Sequence, residues 1–378
     1  MTIEDWRKQI NALDGELLRL LNQRARLALN VGESKRDAGL HLCDHTRERE
    51  VIERLCEANE GPLDDRAVVE LFRAIIHESR RIQTRATAQS SEEQTAPRLD
   101  RDQVSVAFQG APGAFSEDAA VKLLGQEIAL VPRPTFESLF QAIDDGSAEY
   151  VLAPIENSLA GFVQPSFDHL IDSRLFIIGE VIIPIAHCLI GCQGSSFEMI
   201  AAVESHPVAL DQCRRFLAAN PQIKRIAAED TAGSVARVIA QDDLTRAAIA
   251  GRRAAEKYGG VILSEHLEDS RENFTRFLLL SPAKDFPEDA DQLSLVIELP
   301  HQPGALHSAL EPFARRGIDL LKIEGRPVKG RPWEYCFFLD VRGSTSDAEV
   351  IDTLNELRRS RVETRILGAY RSARVPAI

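Results

Sequence analysis

Arg24 interrupts a regular apolar series in the first forty residues. Apolar side chains recur there in alternating steps of four and three residues, as on one face of an amphipathic helix. The series consists of Trp6, Ile10, Leu13, Leu17, Leu20, Leu27 and Val31. Arg24 stands where the next apolar residue belongs. A buried guanidinium without an anionic partner is strongly destabilising, so Arg24 either reaches solvent along its alkyl stem, pairs with a neighbouring Glu or binds an anionic ligand.

Further polar residues of the N-terminal region could converge with Arg24. Lys35 lies eleven residues later, which returns it to within about 20° of the same helix face, about 16 Å further along. Ser79 and Gln83 share a face of a later helix at positions i and i+4. Arg7 is rotated by about 100° from Arg24, so only a second chain could bring it to the same point. The second helix adds Asp44, Arg47 and Glu48 on its opening turns. This set suits a small dianion that carries a hydroxyl.

A second group of polar residues follows short apolar runs in the middle of the chain. QGAPGAFS (109–116) follows one run and opens a helix, where backbone amides could hold an anion. ENS (156–158) and SHP (205–207) each follow a run, and NFTRF (273–277) leads into one. Ligands of α/β folds bind at such strand ends. Each stretch taken alone would equally fit a helix cap or a turn.

The elements that position these residues fall into three regions. Residues 1–88 read as helices only, and the first, Ile3 to Asp37, is roughly 50 Å long. Two shorter helices cannot cover its apolar stripe, which predicts an interlocked dimer. Residues 89–103 form a polar linker. Residues 104–283 alternate buried strands with helices and repeat a similar module, which predicts a two-lobed α/β domain. Residues 291–370 predict a βαββαβ sandwich.

Composition limits the classes of function. The chain has 378 residues and a formal net charge of -13, which argues against general binding to nucleic acid or to an acidic membrane. The charged N-terminus does not resemble a signal peptide, and the most apolar stretch is too interrupted to cross a bilayer. The six cysteines form no C-x-x-C pair, so we expect reduced thiols, a cytoplasmic protein and no metal site.

Residues 1–88 resemble the all-helical chorismate mutase domain, and the whole chain resembles the bifunctional chorismate mutase–prephenate dehydratase family. The resemblance implies roles for the residues above. Arg7 of the partner chain, Arg24 and Arg47 would hold the two carboxylates of chorismate, and Ser79 would assist. Lys35 and Gln83 would bind the ether oxygen. Glu48 and the backbone near Asp44 would bind the ring hydroxyl. The rearrangement needs a compact conformer and positive potential at the breaking C–O bond, with no nucleophile.

Residues 104–283 resemble prephenate dehydratase, with a two-lobed fold like the periplasmic binding proteins; the NFTRF string is specific to that family. The resemblance implies Thr275 as the catalytic hydroxyl. The other implied contacts to prephenate are Asn157, Ser205, Gln212 and Arg276. His206 fits a structural turn better than a catalytic acid. The QGAPGAFS stretch departs from the family's usual glycine-rich opening. No metal or organic cofactor is implied.

Residues 291–370 resemble an ACT domain, the amino-acid sensor of this family. PGAL (303–306) opens its first helix, and the resemblance implies that Gly304, Ala305 and Leu306 hold the carboxylate of L-phenylalanine. In KIEGRP (322–327), Glu324 would meet the ammonium group and Arg326 would lie close by. Gly325 stands where the family usually has serine.

The sequence therefore predicts a cytoplasmic homo-oligomer, at least a dimer, that converts chorismate to prephenate and prephenate to phenylpyruvate under inhibition by L-phenylalanine. Two alternatives remain open. In one, the chain is a prephenate dehydratase whose helical domain only dimerises. In the other, it is a non-enzymatic ligand sensor. A C-terminal sandwich that serves only for dimerisation is a third, narrower possibility.

Overall fold

Two compact units, residues 1–94 and 95–378, make up the chain. The computed structural model describes residues 2–37, 45–65, 67–69, 71–72, 75–76, 79, 104–328, 330–331 and 333–376. Among them, no helix has both the length and the apolar character needed to cross a membrane.

The first unit is helical, as predicted. Helix α1 spans Ile3–Asp37, with the bounds expected from its periodicity, and α2 spans His45–Glu57. The described residues from 65 to 79 that follow are also helical. Thr2 and Asp5 start α1 by a reciprocal cap, because the Thr2 hydroxyl accepts from the Asp5 amide and the Asp5 carboxylate accepts from the Thr2 amide. Such pairs satisfy backbone donors that a helix start leaves free.

The apolar series of α1 is exposed within a single chain. The seven side chains that surround Arg24 in the series are 47% to 65% exposed: Trp6, Ile10, Leu13, Leu17, Leu20, Leu27 and Val31. Exposed apolar stripes of this length are typical of interaction surfaces.

The second unit contains fifteen strands within residues 104–376. They are β1 (Ser105–Gln109), β2 (Ala129–Arg133), β3 (Tyr150–Asn157), β4 (Gly161–Phe162), β5 (Phe176–Pro184), β6 (Cys188–Gly191), β7 (Ala202–Ser205), β8 (Lys224–Ala227), β9 (Arg246–Ala250), β10 (Val261–Ser264), β11 (Phe274–Ser281), β12 (Gln292–Leu299), β13 (Leu320–Pro327), β14 (Tyr335–Arg342) and β15 (Glu363–Tyr370).

Its helices pack on the faces of the sheets. They are α3 (Phe115–Leu124), α4 (Phe136–Gln141), α5 (Gln164–Asp172), α6 (Pro207–Gln212), α7 (Arg214–Ala219), α8 (Thr231–Gln241), α9 (Arg252–Tyr258), α10 (Ala305–Arg315) and α11 (Ala348–Arg359).

The strands form two sheets. The larger has the order β13-β14-β12-β15-β5-β11-β3-β1-β2, with β4 on β3, and the smaller has the order β10-β6-β9-β7-β8. The chain leaves the larger sheet after β5 and returns at β11. Strands β1–β5 and β11 thus form a first lobe and β6–β10 a second, and β12–β15 with α10 and α11 form the predicted βαββαβ sandwich, called here the C-terminal sandwich.

The C-terminal sandwich continues the sheet of the first lobe, which the sequence did not predict. Strand β15 pairs with β5 at Gly368 and Ile177. A side chain at Gly368 would collide with the Ile177 carbonyl oxygen, so the junction depends on glycine. One hydrophobic cluster contains Phe167 of α5, Leu278 of β11 and Phe338 of β14. The core of the first lobe and one face of the sandwich are therefore packed as one.

Candidate functional site

Arg24 and Ser79 meet in the first unit. Arg24 Nη1 donates to Ser79 Oγ, and Ser79 Oγ donates to the Ile75 carbonyl at 2.8 Å. Ser79 is buried and Arg24 is half-buried. The partner of Arg24 in the described part of the chain is thus a neutral hydroxyl, and its charge is not balanced there by a carboxylate.

The structure describes the other predicted residues of this unit only in part. Arg7 lies on an exposed turn of α1. Asp44 and Gln83 fall outside the described residues. So do the side chains of Lys35, Arg47 and Glu48.

Thr275 and Asn157 face each other in the first lobe, where β11 and β3 pair at these two positions. Asn157 Nδ2 donates to Thr275 Oγ1 at 3.0 Å. The amides of Leu159 and Ala160 donate to Asn157 Oδ1, which fixes the orientation of the Asn157 amide. Since Thr275 Oγ1 accepts from Asn157 and no described residue accepts its proton, this hydroxyl can donate to a ligand.

Two more amides extend this cluster into the second lobe. Asn273 Oδ1 accepts from Asn157 Nδ2 at 2.8 Å, and Asn273 Nδ2 donates to Gln212 Oε1 at 3.1 Å. Gln212 Nε2 in turn donates to Asn157 Oδ1 at 3.3 Å. Because Gln212 follows β7 and Asn157 ends β3, these bonds tie the two lobes together at the cleft. We call Asn157, Gln212, Asn273 and Thr275 the amide cluster.

His187 contacts the amide cluster through Gln212. Its Nε2 lies 2.8 Å from Gln212 Oε1, which can only accept, so Nε2 carries the proton. The ring is 2% exposed and its Nδ1 has no partner within the described part of the chain. Burial lowers the pKa of His187 below its usual range, so the ring is neutral at neutral pH. Sequence reasoning missed both His187 and Asn273, since their roles depend on contacts between distant segments.

Ser205 and His206 serve the second lobe. Ser205 is fully buried and its Oγ donates to the Ile249 carbonyl of β9 at 2.5 Å, so its hydroxyl proton is engaged within the second lobe. His206 Nδ1 accepts from the Val208 amide at 3.2 Å and caps α6, which is the structural turn that the sequence favoured.

The QGAPGAFS loop provides less of an anion site than its sequence suggested. The Gly113 amide already donates to the buried Glu117 carboxylate at 2.7 Å. Gly113 also packs closely against Ala254 of α9, and Arg253 of the same helix forms ion pairs with Glu117 and Asp118. The loop and the start of α3 therefore contact α9 of the second lobe.

Arg276 lies on the opposite face of β11 from Thr275. Its Nε donates to Glu180 Oε2 at 2.6 Å, its Nη1 to Asp340 Oδ2 at 2.6 Å and its Nη2 to the Tyr370 hydroxyl at 2.9 Å. Successive side chains of a strand point to opposite faces, so the structure does not bring Arg276 into the amide cluster. Its guanidinium is fully engaged between the first lobe and the C-terminal sandwich.

The predicted effector residues belong to the C-terminal sandwich. Gly304 precedes α10 with φ +80°, a backbone conformation that favours glycine. The Ala305 amide donates to the Gln302 carbonyl at 3.2 Å. Glu324 and Arg326 lie on β13, where Arg326 Nη2 donates to Asp168 Oδ1 of α5 at 2.6 Å.

Three family models match the chain in order. Residues 6–84 match chorismate mutase type II, residues 106–285 match prephenate dehydratase and residues 293–359 match the ACT domain. The bifunctional chorismate mutase/prephenate dehydratase of Neisseria gonorrhoeae is 35% identical over 97% of this chain and 96% of its own. This chain belongs to the bifunctional chorismate mutase/prephenate dehydratase family. The predicted family, the multidomain fold class and the assignment to two enzyme activities are thereby confirmed.

Two solved structures resemble most of this chain. A prephenate dehydratase from Arthrobacter aurescens in complex with L-Phe is 32% identical, with a TM-score of 0.66 over 73% of this chain and 92% of that one. A protein described as a novel type of quorum quenching acylase is also 32% identical, with a TM-score of 0.65 over 71% of this chain and 98% of that one.

Proposed function

We propose that this chain catalyses two consecutive steps of phenylalanine biosynthesis, chorismate to prephenate in the first unit and prephenate to phenylpyruvate in the cleft of the second. The observation that carries this proposal is the likeness along nearly the whole chain to bifunctional relatives. We assign the first step to residues 1–88, the second to residues 104–283 and regulation to residues 291–370, with residues 89–103 as a linker. The cytoplasm stays the predicted compartment.

The mutase step depends on binding and electrostatics. Arg24 holds a carboxylate of chorismate, and Ser79, which already contacts Arg24, assists. The proposal includes Arg7 of a second copy, Lys35, Asp44, Arg47, Glu48 and Gln83 in the roles given above. A rearrangement within one molecule gains from a held conformer and from positive charge near the oxygen that becomes more negative. The exposed stripe on α1 is the surface through which two copies associate.

The dehydratase step uses the amide cluster. Prephenate loses its ring carboxylate as CO2, the electrons of that C–C bond enter the ring, and the C–O bond of the ring hydroxyl breaks. The hydroxyl leaves as water after taking up one proton. Thr275 donates its hydrogen bond to this leaving group, while Asn157 holds the Thr275 oxygen from behind. Gln212 fixes the amide of Asn157 and lines the cleft.

L-Phenylalanine acts as inhibitor at the C-terminal sandwich. Its carboxylate binds at the start of α10, at Gly304, Ala305 and Leu306, where helix amides favour an anion. Its ammonium group meets Glu324 of β13, with Arg326 alongside. Inhibition is then a coupling free energy between this site and the cleft.

One assay tests the whole proposal. Purified protein is supplied with chorismate, and prephenate and phenylpyruvate are followed by liquid chromatography with and without L-phenylalanine. We expect both products in sequence and less phenylpyruvate when L-phenylalanine is present. Prephenate without phenylpyruvate would limit the protein to a mutase, consumption of supplied prephenate but not chorismate would favour the dehydratase with a structural helical domain, and no turnover would favour a sensor.

A further inference from the structure

The strands that carry Thr275 and Asn157 also carry a second pair of residues directly behind them. In the β11–β3 pairing Thr275 lies opposite Asn157, and Arg276 lies opposite Glu156. We call Thr275 and Asn157 the front pair and Arg276 and Glu156 the back pair. The pairing shifts register immediately after Arg276. Such a bulge re-aims side chains beside active sites, and here Glu156 shares a face with Phe162, its partner on β4.

The C-terminal sandwich holds both residues of the back pair by opposite charges. Arg276 Nη1 donates to Asp340 of β14 at 2.6 Å. The ammonium group of Lys322, on β13, forms an ion pair with the Glu156 carboxylate. Lys322 Nζ also lies 4.2 Å from the centroid of the Phe162 ring, which adds a cation–π contact. Each strand of the cleft is therefore tied to the sandwich at the residue next to its functional side chain.

Two ion pairs and two strand pairings connect these four charged residues. Lys322 lies directly opposite Asp340 in the β13–β14 pairing, as Arg276 lies opposite Glu156 in the β11–β3 pairing. Positive and negative groups alternate in the order Glu156, Lys322, Asp340, Arg276, which we call the charge ring. The Lys322 and Glu156 side chains are 18% and 30% exposed, so solvent screens their attraction less than that of a fully exposed pair.

Strand β13 links the charge ring to the effector segment. Glu324 and Arg326 follow Lys322 at alternate positions and share its half-buried face. Arg326 binds Asp168 of the first lobe, so this face of β13 rests on the first lobe through more than one ion pair. A ligand that shifts β13 must shift Lys322 and, with it, the residue before Asn157.

We propose that Lys322 is a positioning residue for the dehydratase reaction, which through Glu156 fixes Asn157 and thereby the Thr275 hydroxyl, and that the charge ring transmits the state of the C-terminal sandwich to the cleft. This inference rests on the proposed function, because it names the groups that orient the dehydratase site and couple it to the effector.

The test compares Lys322→Met with Lys284→Met. Lys284 is a matched control because its ammonium group also lies over a phenylalanine ring, Phe286 at 5.6 Å, in the same unit and outside the charge ring. We expect K322M to lower kcat for prephenate about tenfold and to change KM by less than about twofold. This loss of kcat is smaller than the ~100-fold loss that a 1 Å displacement of a reacting group can cause. L-Phenylalanine should inhibit K322M more weakly, and K284M should behave as wild type.

Four further measurements separate positioning from folding. Urea denaturation of K322M compared with wild type reports whether the second unit is folded, because the mutase step belongs to the other compact unit. Lys322→Arg should restore most of kcat because it keeps the charge. Glu156→Gln removes the ion pair from the other side and supplies the same measurement should K322M fail to fold. In the double variant K322M/E156Q the losses should not add, since both changes break one contact.

Two results would overturn the inference: K322M equal to K284M in kcat and in its response to L-phenylalanine, or losses in the double variant that simply add. The proposed function fails differently, through wild-type protein that forms no phenylpyruvate from prephenate.

Discussion

The candidate sites of the two units differ in how many of their polar groups are already paired within one chain. In the first unit, the guanidinium of Arg24 meets a neutral serine hydroxyl, and the apolar side chains around it are about half exposed. In the second unit, Asn157, Gln212 and Asn273 are hydrogen-bonded to one another, and Asn157 also donates to Thr275, all within one chain. The described residues of one chain leave the charge of Arg24 unbalanced in the first unit, whereas in the second they already hold Thr275 in place.

This difference fits the two reactions. A charged substrate can complete a site whose own charges are unbalanced, and positive potential is most of what the mutase step requires. In the proposed dehydratase step, elimination from prephenate needs one hydroxyl at a defined position, and the hydrogen-bonded amides hold Thr275 without reorganisation. We therefore expect the first unit to be sensitive to charge and to association, and the second to single hydrogen bonds.

Loss of the Thr275 hydroxyl should give the largest effect. We expect Thr275→Val to lower kcat for prephenate about 10³-fold, within the range for groups that assist proton transfer, and to leave chorismate turnover unchanged. Thr245→Val is a matched control, since the Thr245 hydroxyl donates to Asp243 at an exposed turn. Steady-state kinetics on both substrates give the answer. Dehydratase activity in T275V within about tenfold of wild type would rule out the assigned role, given the ~10² minimum expected of such groups.

Loss of the Arg24 charge should affect the other activity. We expect Arg24→Ala to lower mutase kcat/KM about 100-fold, as for loss of one oriented donor to a developing charge, while prephenate turnover survives. Arg19→Ala controls for removal of a cation from the same helix, since Arg19 contacts Glu16 at 3.8 Å and Gln23 at 3.5 Å on the exposed surface. Equal mutase activity in the two variants would favour a helical domain that only dimerises.

The sequence predicted those elements that a pattern of neighbouring residues defines. The periodicity of α1 gave its bounds, and the order of strands and helices gave the C-terminal sandwich. Some short strands lack such a pattern: β8 is Lys224–Ala227, four mostly exposed residues, and β10 is Val261–Ser264. Runs this short lack the alternation or length that distinguishes a strand from a loop.

What the sequence could not predict depends on register. Side chains alternate along a strand, so Arg276 points away from Thr275. Its partners Asp340 and Tyr370 lie on β14 and β15, far along the chain, and the sequence does not indicate them. The pairing of β15 with β5 depends on Gly368, which resembles any glycine in the sequence. His187 and Asn273 likewise gain their roles only when both lobes are folded.

Association of the first unit can be broken without touching its charges. We expect Leu13→Glu, at a position that is 65% exposed in one chain, to shift the protein toward monomers and to lower mutase activity about tenfold, because a buried unpaired carboxylate costs a few kcal/mol. Gln23→Glu adds the same charge to the same helix outside the apolar series and should change little. Light scattering and both assays, run across protein concentration, measure the effect. An unchanged assembly state in L13E would place the interface elsewhere.

The smallest expected effect concerns the buried His187 of the second unit and appears as a pH dependence of stability. Burial lowers the pKa of the folded ring, so below about pH 6.5, the ordinary value of a histidine, the unfolded chain takes up a proton that the folded chain does not. The free energy of unfolding must then fall as pH falls from that value toward the folded pKa, by at most about 1.4 kcal/mol per pH unit.

His187→Gln isolates this contribution, since glutamine keeps an N–H donor for Gln212 but does not titrate. Urea denaturation of both proteins at pH 7 and pH 5 measures the difference. We expect the wild type to lose more stability than H187Q between these values. His206, whose pKa is also lowered by burial, is present in both proteins and cancels. Equal losses would mean that the folded ring accepts its proton as readily as the unfolded one, and the second unit would then be less rigidly organised than its hydrogen bonds indicate.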